Sequence, residues 1–237
     1  MAVDNLRNIA LSISLLVFAT GCGESVSAPD TICGADRATS TAPIQHDPIL
    51  FIHGYGGNGG NFCTMIDRFR ADGWTDRELY AYNYSFVASY ATDAEEIRAQ
   101  VERILAETGA SKVDIIAYSA GSVSSRYYLK NLGGDTKVDA WASLGGPNHG
   151  TDTAINCSFT PCLEIRLGSA FLAALNAGDE TPGPPRYTTW WSPCDLTINP
   201  DESVLLVGAT NHESACIAHI QFLDDSTIYQ QVRDWVR

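Results

Sequence analysis

The strongest constraint on this chain is a serine set among small residues where a strand must turn into a helix, Ala117-Tyr118-Ser119-Ala120-Gly121. The apolar run Val113-Asp114-Ile115-Ile116 leads into it, and a helical pattern through Ser125-Arg126-Tyr127-Tyr128-Leu129 leads out. So sharp a bend brings neighbouring backbones together, which excludes side chains larger than a methyl group two residues either side of the serine. Ala117 and Gly121 meet that condition. The turn lifts the serine hydroxyl clear of the backbone, where a substrate can reach it.

The rest of the chain supplies a sheet for such a turn. Ile49-Leu50-Phe51-Ile52 is continuously apolar, as a strand buried on both faces of a parallel sheet must be. It ends in His53-Gly54-Tyr55-Gly56-Gly57, too rich in glycine to continue the strand. The pattern predicts a helix over 62–71 and a weaker strand over 79–82. A second helix carries Thr92 and Glu95 as a capping box, with Ile97, Val101, Ile104 and Leu105 facing the sheet. The central strand covers 112–117, and the helix after Ser119 stops at Gly133-Gly134. Further strands are predicted over 138–144, 187–191 and 203–207. A last helix from Asp225-Ser226 shows an apolar face of Ile228, Val232, Trp235 and Val236. Strands alternating with helices give an α/β fold, a mainly parallel central sheet covered on both faces. Residues 151–186 are the least regular and read as a pocket wall or lid, or as a passive insertion.

The chain has 237 residues, enough for one large domain. Arg7 precedes the apolar run 9–18 and the small residues Ala19-Thr20-Gly21, the order of an export signal over 1–21. Ala19-Thr20-Gly21-Cys22 resembles a bacterial lipobox, which makes Cys22 a candidate lipidated mature N-terminus and membrane attachment; free secretion is the alternative. Residues 22–46 read as a linker or tail and 47–237 as the domain. Without Cys22 six cysteines remain, an even number in an exported chain. Of the many possible connectivities, the reading adopted pairs Cys157 with Cys162, Cys194 with Cys216, and Cys33 with Cys63. The net charge of −13 argues against nucleic acid and anionic lipid surfaces as partners.

A serine hydroxyl needs a base to take its proton, and the base needs an acid to hold its tautomer. On a sheet of this build the partners follow in the order Ser, Asp or Glu, His, at the carboxyl ends of strands. Asp195 follows the strand ending near Trp191 and becomes the acid; Asp201, preceding the next predicted strand, falls at the opposite edge. His219, on the approach to the last helix, becomes the base, with His212 in reserve. His46 lies before the first strand, His53 organises its glycine-rich loop, and His149 reads as a loop-fixing residue. An oxyanion needs preorganised N–H donors. Ala120, after the nucleophile, and Tyr55, in the loop after the first strand, supply them. Neither a metal nor an organic cofactor is called for.

Together these residues resemble the small secreted bacterial lipases, the class 2 triacylglycerol lipases of the α/β-hydrolase superfamily. The resemblance is densest in residues 48–57 and 112–121 and continues through Tyr127-Tyr128-Leu129-Lys130-Asn131-Leu132 and Leu144-Gly145-Gly146. It implies a minimal α/β-hydrolase fold, with Ser119, Asp195 and His219 as triad and Tyr55 and Ala120 as oxyanion donors. The implied activity is hydrolysis of ester or lipid substrates through an acyl-enzyme. Alternatives are a polyester depolymerase or acyltransferase on the same triad, and a non-catalytic surface binding protein. The family's His-Ser-Met is replaced by Tyr118-Ser119-Ala120, which offers an acyl chain less apolar surface.

Overall fold

The computed structural model describes residues 29–35, 43–85 and 87–237. The stretch read as an export signal and Cys22 lie outside them. Six strands form one sheet: β1 (Ile49–Ile52), β2 (Leu79–Ala81), β3 (Val113–Tyr118), β4 (Val138–Leu144), β5 (Arg186–Trp191) and β6 (Thr210–Glu213). They lie in the order β2-β1-β3-β4-β5-β6, every neighbouring pair parallel. The helices are α1 (Cys63–Ala71), α2 (Tyr90–Thr108), α3 (Gly121–Asn131), α4 (Thr160–Glu164), α5 (Ala170–Asn176) and α6 (Ser226–Trp235).

Alternate residues of a strand point to opposite faces, and the core divides accordingly. Ile49, Phe51, Ile116 and Tyr118 pack with Met65, Ile66 and Phe69 of α1 and Ile228 and Val232 of α6. Leu50, Ile52, Ile115 and Ala117 pack with Ile97, Val101 and Ile104 of α2 and Tyr128 and Leu129 of α3. A continuous apolar run is therefore what β1 and β3 require, since both their faces are buried.

Two expectations need correction. Residues 203–207 are not the last strand. Asp201–Val204 is a short 3₁₀ turn, Val204 and Leu206 are buried, and the amide of Asn211 pairs with the Leu206 backbone N–H and C=O at 3.0 Å each. The strand is Thr210–Glu213, an edge strand whose side chains are largely exposed. An edge strand packs little and so writes no apolar period into the sequence. Helix α2 begins at Tyr90, not at a Thr92 cap. Ser89, in extended conformation, accepts from the Ala91 N–H and is the N-cap, while Glu164 accepts from the Tyr90 N–H at 2.9 Å.

The cysteines pair as read: Cys33–Cys63, Cys157–Cys162 and Cys194–Cys216, with Cα separations of 5.0, 5.7 and 4.9 Å. The first ties the segment before the sheet onto α1.

Candidate active site

Ser119 stands between the end of β3 and the start of α3 with φ of +52°, a left-handed conformation unusual for a residue with a Cβ. Its N–H donates to the Leu144 carbonyl at 2.9 Å, which ties the turn to β4. Gly121 is demanded by close approach. A Cβ there would lie 2.5 Å from the His53 carbonyl oxygen and 2.6 Å from that of Ile52. Gly54 is held likewise, since a Cβ on it would come within 2.8 Å of the Ser119 Cβ. The glycine-rich loop after β1 and the serine turn thus touch, and each needs a missing side chain in the other's path.

His219 opens a short 3₁₀ turn (His219–Leu223), and its Nε2 lies 2.9 Å from Ser119 Oγ. Its Nδ1 lies 2.7 Å from Asp195 Oδ2. A carboxylate only accepts, so Nδ1 carries the proton and donates to Asp195, which leaves Nε2 to accept from the Ser119 hydroxyl. The other Asp195 oxygen accepts from the N–H groups of Thr197 and Ile198 at 2.9 and 3.1 Å. Asp195 is buried, and its orientation is fixed by three hydrogen bonds. Gly145, at φ of +58°, passes 3.1 Å from the imidazole at the position a Cβ would take, leaving the ring its space. The Tyr118 ring lies 4.9 Å from that of His219. Burial, reinforced by the Asp195 charge, raises the Tyr118 hydroxyl well above its ordinary range, so it stays neutral.

Asp195 and His219 stand on two separate loops, and two devices join them. One is the Cys194–Cys216 disulfide. The other is Ser192, whose hydroxyl donates to the Ile217 carbonyl at 2.7 Å and accepts from the N–H groups of Ile217 and Cys194 at 3.0 and 3.1 Å. Sequence reasoning missed Ser192. Nothing local marks it, because its role exists only once residues 25 positions apart meet.

A cavity of about 270 Å³ opens beside Ser119 and His219. Tyr55 and Ala120 border it, together with Thr151, Ala154, Cys157, Cys162, Ile165 and Ile198. Residues 151–165 thus form a pocket wall, one of the two readings of that segment. The remaining histidines are engaged elsewhere. His46 stacks on Trp74 at 4.0 Å. His53 stacks on Tyr84 at 4.0 Å, and burial lowers its pKa, keeping it neutral. His149 Nε2 meets Glu180 at 2.8 Å. His212, the reserve base, lies within β6 rather than after the last strand and stacks on Trp190 at 5.0 Å. Among the described residues, one trio of carboxylates lies close together, Asp47, Asp114 and Asp139. It sits at the amino-terminal ends of the strands, opposite to Ser119, with Lys112 and Arg186 beside Asp139.

The family description "Lipase (class 2)" matches residues 46–234. A triacylglycerol lipase from Burkholderia plantarii is 25% identical over 158 residues, 62% of this chain and 41% of that protein. The chain therefore spans less than half the length of that curated relative. Among solved structures, the mature Bacillus licheniformis lipase BlEst2 superposes with a TM-score of 0.72 at 15% identity, over 83% of this chain and 94% of that one. Aspergillus fumigatus lipase B gives 0.67 at 16% identity, over 78% and 51%. Those likenesses concern the fold, an α/β-hydrolase sheet, whereas the family match takes in both the glycine-rich loop and the serine turn. The chain belongs to the class 2 lipase family.

Proposed function

We propose that this protein is a serine ester hydrolase of the lipase and carboxylesterase type, with Ser119 as nucleophile, His219 as base and Asp195 as acid. The observation that carries the reading is the continuous chain of hydrogen bonds from Ser119 Oγ through the imidazole to Asp195, 2.9 and 2.7 Å long. It ends at a cavity open to a substrate. Ser119 Oγ attacks the ester carbonyl carbon while its proton passes to His219 Nε2. The carbonyl electron pair moves to oxygen, where the Tyr55 and Ala120 N–H groups receive the charge. The imidazolium, held by Asp195, returns the proton to the departing alkoxide as the tetrahedral adduct collapses to an acyl-serine and an alcohol. Water then attacks the acyl-enzyme by the same route, giving the carboxylic acid and restoring Ser119.

The same reading takes the protein as exported. Three disulfides belong in an oxidising compartment, and residues 1–21 have the composition of a signal peptide, with Cys22 as candidate lipid anchor ahead of a 22–46 tail and a 47–237 domain. The test of the activity is hydrolysis of p-nitrophenyl butyrate by the wild type and Ser119→Ala. The variant should fold normally and lose about 10⁶-fold in kcat. Turnover within tenfold of wild type would refute the assignment.

A further inference from the structure

A hydrogen bond at each nitrogen fixes the direction of the His219 ring but leaves it free to tip about the line joining its two partners. Asp195 Oδ2 and Ser119 Oγ hold that line, at 2.7 and 2.9 Å. What holds the tilt is apolar. The Tyr118 ring lies 4.9 Å from the imidazole, centroid to centroid, with the two planes 35° apart. Phe222, on the same 3₁₀ turn as His219, stands nearly perpendicular to it, at 6.4 Å and 84°. The Gly145 backbone closes on the Cε1 and Nδ1 edge, where a Cβ would come within 3.1 Å. Among these neighbours Tyr118 is tied to the nucleophile itself, being the last residue of β3 and adjacent to Ser119 in the chain. Parallel pairing sets it opposite Leu144 of β4. Its side chain belongs to the buried apolar cluster that includes Trp190, Ile217 and Phe222, and only 7% of the residue is exposed. Trp190 is anchored in turn by its indole N–H, which donates to Gln231 Oε1 at 2.7 Å. The Tyr118 ring is thus a platform built into the sheet, and it keeps its place relative to Ser119.

Building on the ester-hydrolase reading above, we propose that Tyr118 is the positioning residue of the base: its ring sets the tilt of His219 and favours the imidazolium that forms when the Ser119 proton arrives. The face of a neutral aromatic ring is electron-rich and attracts a cation within about 6 Å of its centre. That attraction is worth about two- to thirtyfold in rate. It acts in full only once His219 is charged, so it is stronger in the transition state than in the ground state, the condition for raising kcat rather than tightening binding. The imidazolium forms in acylation and again in deacylation. Both steps therefore gain alike, and KM stays where it is. The ring carries this role and the Tyr118 hydroxyl does not.

The experiment measures kcat and KM for p-nitrophenyl butyrate at 25 °C in the wild type, Tyr118→Phe and Tyr118→Leu, with the fold of each checked by circular dichroism and melting temperature. Tyr118→Phe keeps the ring and should stay within about threefold of wild type in kcat. Tyr118→Leu removes it and should lose about tenfold in kcat, with KM within about twofold; Tyr118→Met takes its place if the leucine variant does not fold. A second arm keeps the shape and changes only the charge distribution. Phenylalanines carrying progressively more fluorine, incorporated at position 118, drain electron density from the ring face and should lower kcat stepwise at a nearly constant melting temperature. A leucine or methionine variant within about twofold of wild type, a phenylalanine variant that falls as far, or a constant kcat across the fluorinated series would overturn the inference while leaving ester hydrolysis intact. A wild type that hydrolyses no ester would strike the ester-hydrolase reading, and this inference with it.

Discussion

Replacing both Cys194 and Cys216 with alanine separates what holds the Asp195 and His219 loops together from what aims them. The bridge closes a loop of 22 residues. Constraining such a loop removes unfolded-chain entropy worth about 3 kcal/mol at 25 °C. In a domain of this size that corresponds to a fall in melting temperature of roughly 6–12 °C. The catalytic geometry should suffer far less. Ser192 still links the loops through two hydrogen bonds to Ile217, and Asp195 Oδ1 is still fixed by the Thr197 and Ile198 N–H groups. Urea denaturation followed by tryptophan fluorescence reads the stability; kcat on a short ester at 25 °C, where the variant remains folded, reads the geometry. The expected result is a clear loss of stability with kcat within a few-fold of wild type. Ser192→Ala should do the reverse in kind, depressing kcat because the Ile217 backbone loses its partners. A folded variant lacking this one bridge and slowed a hundredfold would refute the reasoning, since the bridge and not Ser192 would then be setting the Asp195–His219 contact.

Three other substitutions probe the surroundings of the site. Asp195→Asn keeps the shape but removes the charge that holds Nδ1–H, and kcat should drop by about 10⁴ with little change in melting temperature. Tyr84→Phe removes the hydroxyl that donates to the His53 carbonyl while keeping the ring stacked on the imidazole. One lost hydrogen bond is worth up to about tenfold, expected in kcat and not in KM because it loosens the loop proposed to supply the Tyr55 oxyanion donor. Asp93 is fully buried, and burial, with the charges of Glu96 and Glu164, pushes its carboxyl up to about 7. A raised carboxyl pKa favours the protonated fold, so this contribution is complete below about pH 4, the unfolded value, and is lost as pH rises through about 7. Asp93→Asn should therefore match the wild-type melting temperature near pH 4 and exceed it at pH 8; a lower value at pH 8 would contradict the account.

The parts of this molecule that could be read from sequence are those whose physics is local. The buried strands β1 and β3 show as unbroken apolar runs because both their faces pack. The turn at Ser119 shows because backbone crowding leaves room only for small residues. Chain order and sheet polarity point to Asp195 and His219, with His212 in reserve, and Asp195 Oδ2 lies 2.7 Å from His219 Nδ1. The edge strand β6 was illegible for the opposite reason: Thr-Asn-His-Glu faces solvent and carries no period, and the apolar run before it buries Val204 and Leu206 outside the sheet. The start of α2 was misplaced because Glu164, 74 residues away, helps satisfy its first turn. Tyr84 and Ser192 act only through tertiary contacts, and no spacing announces them.

The most direct test of the account is to treat the enzyme with a fluorophosphonate and map the adduct by peptide mass spectrometry. The organophosphorus centre mimics the attacked carbonyl, so a hydroxyl activated by His219 should displace fluoride and carry the label. The account predicts a single modified peptide with the adduct on Ser119, formed in wild type and nearly absent in a folded His219→Ala variant. Labelling on a different residue, or equal labelling of Ser119 without the imidazole, would contradict it.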